Sequence, residues 1–184
     1  MTVLGVIADT HIPDRRRRLH PDILPFFRDA RVEAILHAGD VSVPRILDQL
    51  GEVAPVHAVR GNRDWFRLRQ LPQSLTFNYE GLPIVLTHGY GSLAGYLAGK
   101  LNYLRYGIQP EWFMQRLKDS YPQARVIVFG HIHLPINDWE GGQLFFNPGT
   151  ACCPEIKELS PSIGLLYLHA GGEVEGKIIE LRRA

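Results

Sequence analysis

Short apolar runs recur along the chain, and most stop abruptly at a polar cluster. Residues 3–8 form the first run. It is rich in β-branched side chains and predicts a strand buried on both faces. Residues 21–30 predict a helix whose apolar face is Ile23, Leu24, Phe26 and Phe27. A second strand follows at 34–37 and a second helix at 41–50, with Ser42 as cap, Pro44 in the first turn and Gly51 as the stop. Residues 56–59 give a third strand. This β-α-β-α-β order implies a parallel sheet with crossover helices.

The pattern then changes. Runs at 75–79 and 84–87 flank Glu80-Gly81-Leu82-Pro83 and predict a hairpin. Residues 93–106 permit a helix, weakened by Gly95 and Gly99. Residues 110–120 predict a clearer helix and 126–129 another buried strand. Runs at 136–139 and 144–146 flank Gly141-Gly142 as a second hairpin. The last two strands, 163–168 and 174–181, turn around Gly171-Gly172.

Candidate chemistry lies where the strands end. The first strand runs into Asp9-Thr10-His11 and the second into His37-Ala38-Gly39-Asp40. The third leads to Gly61-Asn62-Arg63-Asp64, the fourth cluster is Thr87-His88-Gly89, and the fifth is Gly130-His131-Ile132-His133. Ligands of open α/β sheets bind at the carboxyl ends of strands, so these five ends converge. Asp, Asn and His form a mixed oxygen and nitrogen donor set suited to Mn, Fe, Co, Ni or Zn. On an extended strand, Asp9 and His11 would share one face, as would His131 and His133. One metal could take both members of a pair, or a bend could divide them between two. Any single fragment reads more simply as a turn. The ordered set of five carries the metal reading.

Composition narrows the picture. The chain has 184 residues, which suggests one domain over 1–184. Hydrophobic residues make up 45% and charged residues 21%, ordinary for a globular protein. A formal net charge of +1 gives no global reason to expect nucleic acid or an anionic membrane as partner. Cys152 and Cys153 are the only cysteines, and adjacent cysteines rarely bridge each other. Reduced thiols in the cytoplasm are the simpler expectation. The first apolar run lacks a basic leader and is cut short by Asp9, so no signal peptide is expected, and no run is long enough to span a bilayer.

Taken in order, Asp9-x-His11, Gly39-Asp40, Gly61-Asn62-x-Asp64, His88-Gly89 and Gly130-His131-x-His133 resemble the calcineurin-like metallophosphoesterase superfamily. The short chain and the Asn147-Pro148-Gly149-Thr150 segment are similar to its small bacterial and archaeal phosphodiesterases. The resemblance implies a four-layer α/β/β/α sandwich of two mixed β-sheets with flanking helices. It implies two divalent ions, manganese first, with iron, nickel, zinc or cobalt as alternatives. Asp9, His11, Asp40 and His133 would hold one ion. Asp40 would bridge to the other, completed by Asn62, His88 and His131. Asp40, Asn62 and His88 would be catalytic, Asn62 and Arg63 would face the substrate, and Asp64 and Asn147 would orient the ligands from behind. The implied reaction is in-line attack on phosphorus by a hydroxide held between the ions. The substrate is then a small phosphate ester, and a homo-oligomer is left open.

Some positions depart from the family's pattern. Arg63 stands where many members have His and small relatives often have Cys. Arginine stays protonated and cannot act as a general acid, so diesters and activated esters are expected ahead of alkyl monoesters. Arg63 either clamps phosphate oxygens or turns to solvent or to Asp64. Glu155 puts an acid where relatives often carry a base, which weakens the case for a substrate role of that loop. Arg15-Arg16-Arg17-Arg18 reads as a solvated loop before a nucleic-acid contact. His37 reads as a packed or hydrogen-bonded support, His57 as packed, His20 and His169 as surface residues. Residues 89–107, with Tyr90, Tyr96, Tyr103 and Tyr106, are the segment freest to set specificity. Two alternatives to the phosphodiesterase stand: a weakly active or inactive scaffold of the same fold, like a retromer subunit, and a phosphomonoesterase or nuclease.

Overall fold

The computed structural model describes residues 1–79, 81–91, 93–107, 109–154 and 156–182; the side chains of 93, 94, 96–98 and 100 are outside the described set. The element order is β1 (Thr2–Ile7), α1 (Ile23–Asp29), β2 (Ala34–His37), α2 (Pro44–Gly51), β3 (Val56–Ala58), β4 (Ser74–Tyr79), β5 (Leu82–Thr87), α3 (Leu93–Tyr106), α4 (Pro110–Ser120), β6 (Val126–Val128), β7 (Pro135–Glu140), β8 (Gln143–Pro148), β9 (Ser162–Leu168) and β10 (Val174–Glu180). The strands form two five-stranded sheets, ordered β10-β9-β1-β2-β3 and β4-β5-β6-β8-β7.

Both sheets are mixed. β1, β2 and β3 run parallel, with Leu4 opposite Ala34 and Leu36 opposite His57. β9 is antiparallel to both β1 and β10. In the second sheet β5, β6 and β8 are parallel, while β4 and β7 close the two edges antiparallel.

The period-two pleat explains why the central strands read as unbroken apolar runs. Leu4, Val6 and Ala8 face the opposing sheet and meet the cluster that contains Leu86, Val128 and Phe146. Val3 and Ile7 face the other way, into a cluster with Ile23 and Phe27 of α1 and Ile46 and Leu50 of α2. Phe113, Met114 and Leu117 of α4 cover the outer face of the second sheet with Ile127, Phe129 and Phe145. Each fully buried Leu, Ile or Phe stabilises this arrangement by roughly 1.5–3 kcal/mol. Helices, sheet, sheet and helix thus make the four layers the resemblance implies.

Some local expectations change. α1 begins at Ile23, later than the pattern suggested. Ser42 does not cap α2: the cap position is Val43, no side chain bonds there, and Ser42 has φ 71°. Leu82 and Pro83 belong to β5, paired with Tyr79 and Asn78, so the hairpin turn is tighter than four residues. His20 is 5% exposed and its Nε2 lies 2.8 Å from the Arg182 carbonyl oxygen, a tie to the chain's last strand region and no surface position. Glu155 lies outside the described residues, as do the side chains of Tyr96 and Lys100. No described helix is long and apolar enough to cross a membrane.

Candidate metal centre

Five strand ends meet at one edge of the sandwich, but not on one sheet. Asp9, His11, Asp40 and Asn62 follow β1, β2 and β3 of the first sheet; His88, His131 and His133 follow β5 and β6 of the second. The donors therefore face one another across the junction between the sheets.

Most of these donors do not sit on extended backbone. Asp9, His11, Asp40, Ser42, His131 and His133 all have positive φ, between 48° and 75°. In each pair two residues apart, both members are left-handed, so the shared-face argument from an extended strand does not apply. Asp and His enter this region more readily than most side chains. Tertiary bonds hold it: Asp9 N donates to Gly39 O at 3.0 Å and His11 N to Asp40 O at 3.1 Å. Thr150 Oγ1 donates to Asp9 O at 2.9 Å. His131 N donates to Asp9 Oδ2 at 3.0 Å, which leaves Oδ1 facing inward.

The donor atoms fall into two neighbouring groups. In one, His11 Nε2 lies 3.0 Å from His133 Nε2, and Asp9 Oδ1 lies 3.3 Å from His133 Nε2 and 3.7 Å from His11 Nε2. In the other, Asn62 Oδ1 is 3.1 Å from both His88 Nε2 and His131 Nδ1, which are 3.3 Å apart. Asp40 stands between, with Oδ1 3.6 Å from His88 Nε2 and Oδ2 3.7 Å from His11 Nδ1. Asp9-His11-His133 and Asp9-Asp40-His88 each present ligand atoms within 4.8 Å of one another, so Asp9 belongs to both sets.

These residues fit divalent cations. Asp9 Oδ1 and His11 Nδ1 are buried and make no hydrogen bond. Such buried acceptor atoms are costly without a positive partner. No thiolate is involved, and imidazole with carboxylate and amide oxygen suits first-row transition metals.

The groups behind the donors are well defined. The Asp64 carboxylate accepts from Gly61 N at 2.8 Å, Ser42 N at 2.7 Å and Val41 N at 3.3 Å, so it ties the third strand end to the second. Asn147 Nδ2 donates to Gly130 O at 3.0 Å and its Oδ1 accepts from Gly149 N at 2.9 Å. His88 Nδ1 lies 2.7 Å from Ala38 O; donating there leaves Nε2 with a bare lone pair. Buried His37 places Nε2 3.4 Å from Thr10 Oγ1. A Cβ on Gly130 would stand 2.8 Å from both Ala38 O and Asp9 Oδ2, and one on Gly61 would intrude on the Asp40 carboxylate. Only glycine permits these approaches.

Electrostatics favour unprotonated ligands. Burial lowers His11 and His131 to about 3, against the opposing pull of Asp9, so both rings are neutral near pH 7. Burial alone would raise Asp9, but the charge and hydrogen bond of His133, with His88 and His11, hold it well below the usual carboxylate range. Asp40 is pushed up to about 6 by burial and by Asp9, although His88 opposes this.

Arg63 leans towards this site. Its Nε is 3.9 Å from Asp40 Oδ2 and its Nη1 is 3.6 Å from Asp14 Oδ2. Pairing with Asp64 does not occur, because backbone N–H groups occupy that carboxylate. Arg15, Arg17 and Arg18 are exposed and Arg16 is half-buried. Cys152 and Cys153 are free thiols 2.9 Å apart at sulfur, and burial with the Cys153 contact pushes Cys152 up to about 12. Tyr90 is buried with its ring 5.8 Å from His88, while Tyr103 and Tyr106 are exposed on α3. Sequence reasoning missed Phe113, whose ring stacks on His131 at 5.7 Å, and Asp14, which meets Arg63. Neither carried a signal: Phe113 reads as ordinary helix core, and Asp14 sits in a loop.

Comparisons with known proteins bear on the family and the fold. The model of the calcineurin-like phosphoesterase superfamily domain matches residues 1–171. A probable metallophosphoesterase of Methanothermobacter thermautotrophicus is 34% identical over 96% of this chain and 91% of its own. Among solved structures, Vps29 of Entamoeba histolytica in complex with Zn2+ has a TM-score of 0.72 at 21% identity, covering 97% of this chain and 99% of that one. A structure described as a novel archaeal phosphodiesterase has a TM-score of 0.65 at 20% identity, covering 97% and 100%. With motifs, fold and family model in agreement over nearly its whole length, the chain belongs to the calcineurin-like phosphoesterase superfamily.

Proposed function

We infer that this protein is a metal-dependent phosphoesterase that cleaves phosphodiesters and activated esters ahead of alkyl monoesters, with two divalent ions, manganese first, held among Asp9, His11, Asp40, Asn62, His88, His131 and His133. One observation supports the reading: two donor groups lie side by side, with Asp9 shared by both candidate ligand sets and Asp40 placing Oδ1 3.6 Å from His88 Nε2 and Oδ2 3.7 Å from His11 Nδ1. Bound there, divalent ions would lower the pKa of water and neutralise charge on phosphoryl oxygens.

The chain's own residues supply the rest. His88 is fixed by its contact with Ala38 O and offers Nε2. Asn62 offers Oδ1 to the second donor group, and the other arm of the same amide is an N–H donor for a phosphoryl oxygen. Arg63 presents a permanent cation beside Asp40, able to hold an equatorial oxygen but not to protonate a leaving group. His37 is buried against Thr10 and His11 is a ligand candidate, so neither is placed to give the departing oxygen a proton. Good leaving groups follow as the preferred substrates.

The test is a series of divalent ions assayed on an aryl phosphodiester, an aryl monoester and an alkyl monoester, with Asp40→Asn as control. The expected order is diester first and alkyl monoester last. An alkyl monoester turned over best would reverse the substrate assignment. The likeness in fold to Vps29 supports a second reading, a scaffold whose surface matters more than its metal centre. Absence of hydrolysis with every divalent ion would favour it.

A further inference from the structure

We propose that Arg116 of α4 is a specificity residue that binds a second phosphate group of the substrate, on the second-sheet side of the donor groups. This rests on the phosphoesterase reading above. α4 lies against the donor residues of the second sheet. Phe113 stacks on His131 at an interplanar angle of 24°, and its ring fills the space where a side chain at Gly89 would stand. Arg116 comes one helical turn later, on the same side of the helix. Its Nη2 stands 3.4 Å from where a Cβ on Gly91 would lie, and its Nη1 3.9 Å from the same point on Gly99. Its guanidinium therefore covers the backbone just beyond His88. Its positive charge is felt at His131.

Arg116 is half-buried, and among the described residues no carboxylate pairs with it. Its guanidinium instead lies over the Trp112 ring, 4.8 Å from the centroid. The acid one turn further on, Asp119, is engaged by Gln115 at 2.8 Å. A partly desolvated guanidinium without an anion is costly, and its planar fork matches phosphate. Arg63 contrasts with it, having Asp14 and Asp40 within 4 Å. Trp112 fixes the plane of Arg116 without neutralising it, which leaves its charge for a ligand. An anion there lies on the second-sheet side of the donor groups, whereas Arg63 follows β3 of the first sheet, so it belongs to a substrate arm and not to the reacting phosphorus. The substrate class is a diester with one arm carrying a further phosphate.

The experiment compares wild type with Arg116→Gln and Arg116→Lys on two matched aryl diesters, one with a plain alkyl arm and one with a phosphorylated arm. Wild type should favour the phosphorylated arm through KM. Arg116→Gln should raise that KM at least tenfold, leave kcat/KM for the plain diester within about twofold, and be partly rescued by lysine. Equal loss on both diesters, or no wild-type preference, overturns the proposal. A second arm titrates EDTA-treated wild type and Arg116→Gln with inorganic pyrophosphate by calorimetry; at least fivefold weaker binding is expected in the variant, and unchanged binding overturns the proposal. If neither diester is cut with any divalent ion, the hydrolytic reading falls, and the pyrophosphate titration still decides the role of Arg116.

Discussion

Asp40 and Arg63 meet twice: the Arg63 backbone N–H donates to Asp40 Oδ1 at 2.8 Å, and the Arg63 Nε stands 3.9 Å from Oδ2. The first contact belongs to the loop and is open to any residue at 63 except proline, which lacks the N–H. The second belongs to the guanidinium alone. Substitution at 63 therefore changes chemistry at the cleft while keeping the turn that presents Asn62.

Arg63→His should bring in a group able to donate a proton near neutral pH. Alkyl monoester hydrolysis is expected to rise about tenfold or more relative to the aryl diester, below the roughly 10²–10⁴-fold of a fully positioned general acid. Steady-state kinetics on the two substrates measure the ratio. A ratio equal to that of wild type would remove the leaving-group argument.

Asp40→Asn keeps an oxygen for the Arg63 N–H but removes the charge between the two donor groups. Hydrolysis should fall by at least about 100-fold and divalent-ion affinity by roughly 10–100-fold, with little change in fold. Calorimetric ion titration and circular dichroism separate the effects. Near-normal affinity would show that Asp40 does not hold ions.

Acid should destabilise the metal-free protein through buried histidines. His11 and His131 are lowered to about 3 and His37 to about 4, chiefly by burial. The unfolded chain protonates these rings near 6.5, so below that pH it gains protons that the folded chain does not. Stability is then lost as pH falls from about 6.5 towards 3–4. Asp40, raised to about 6, acts in the opposite sense between about 6 and 3.8, because the folded chain holds a proton that the unfolded chain has released. Three groups outweigh one, so Tm of EDTA-treated protein should drop from pH 7 to pH 4, and more steeply in Asp40→Asn. A flat profile contradicts this balance.

Asp64→Ala should be costly although the residue touches no donor atom. It would leave the N–H groups of Gly61, Val41 and Ser42 without their acceptor in a buried place. A loss of about 2–4 kcal/mol in urea unfolding is expected. Asp64→Asn, which keeps one carbonyl oxygen, should cost less. Equal stability of Asp64→Ala and wild type would mean that water replaces the carboxylate.

Much of this was legible in the chain. Periodicity located every strand to within a few residues: the central strands are apolar on both faces and several stop where polar ligands begin, while β4, β7 and β10 show one polar face beside turn residues. The metal-site candidates were readable because Asp9, Asp40, Asn62, His88 and His131 each sit at or just after a strand end. What spacing could not reveal was handedness. Asp9-x-His11 has the period of a strand, yet both residues have positive φ, set by bonds from distant segments such as Thr150. Ser42 looked like a helix cap, but its N–H is claimed by Asp64, 22 positions away. Arg116 carries no signal in the sequence, since only the folded chain brings α4 against the residues after His88.

The division of the donors between two sheets bears on how the protein matures. Asp9 and His133 lie far apart in sequence and on different sheets, so no early, locally folded piece contains either complete donor group. Contacts of such long range form late, after the cost of closing the intervening chain is met. Ion capture would therefore distinguish finished molecules from partly folded ones. A cation taken up at that edge would fasten the two sheets together and slow their separation, so metal supply would govern the lifetime of the native protein as well as its chemistry.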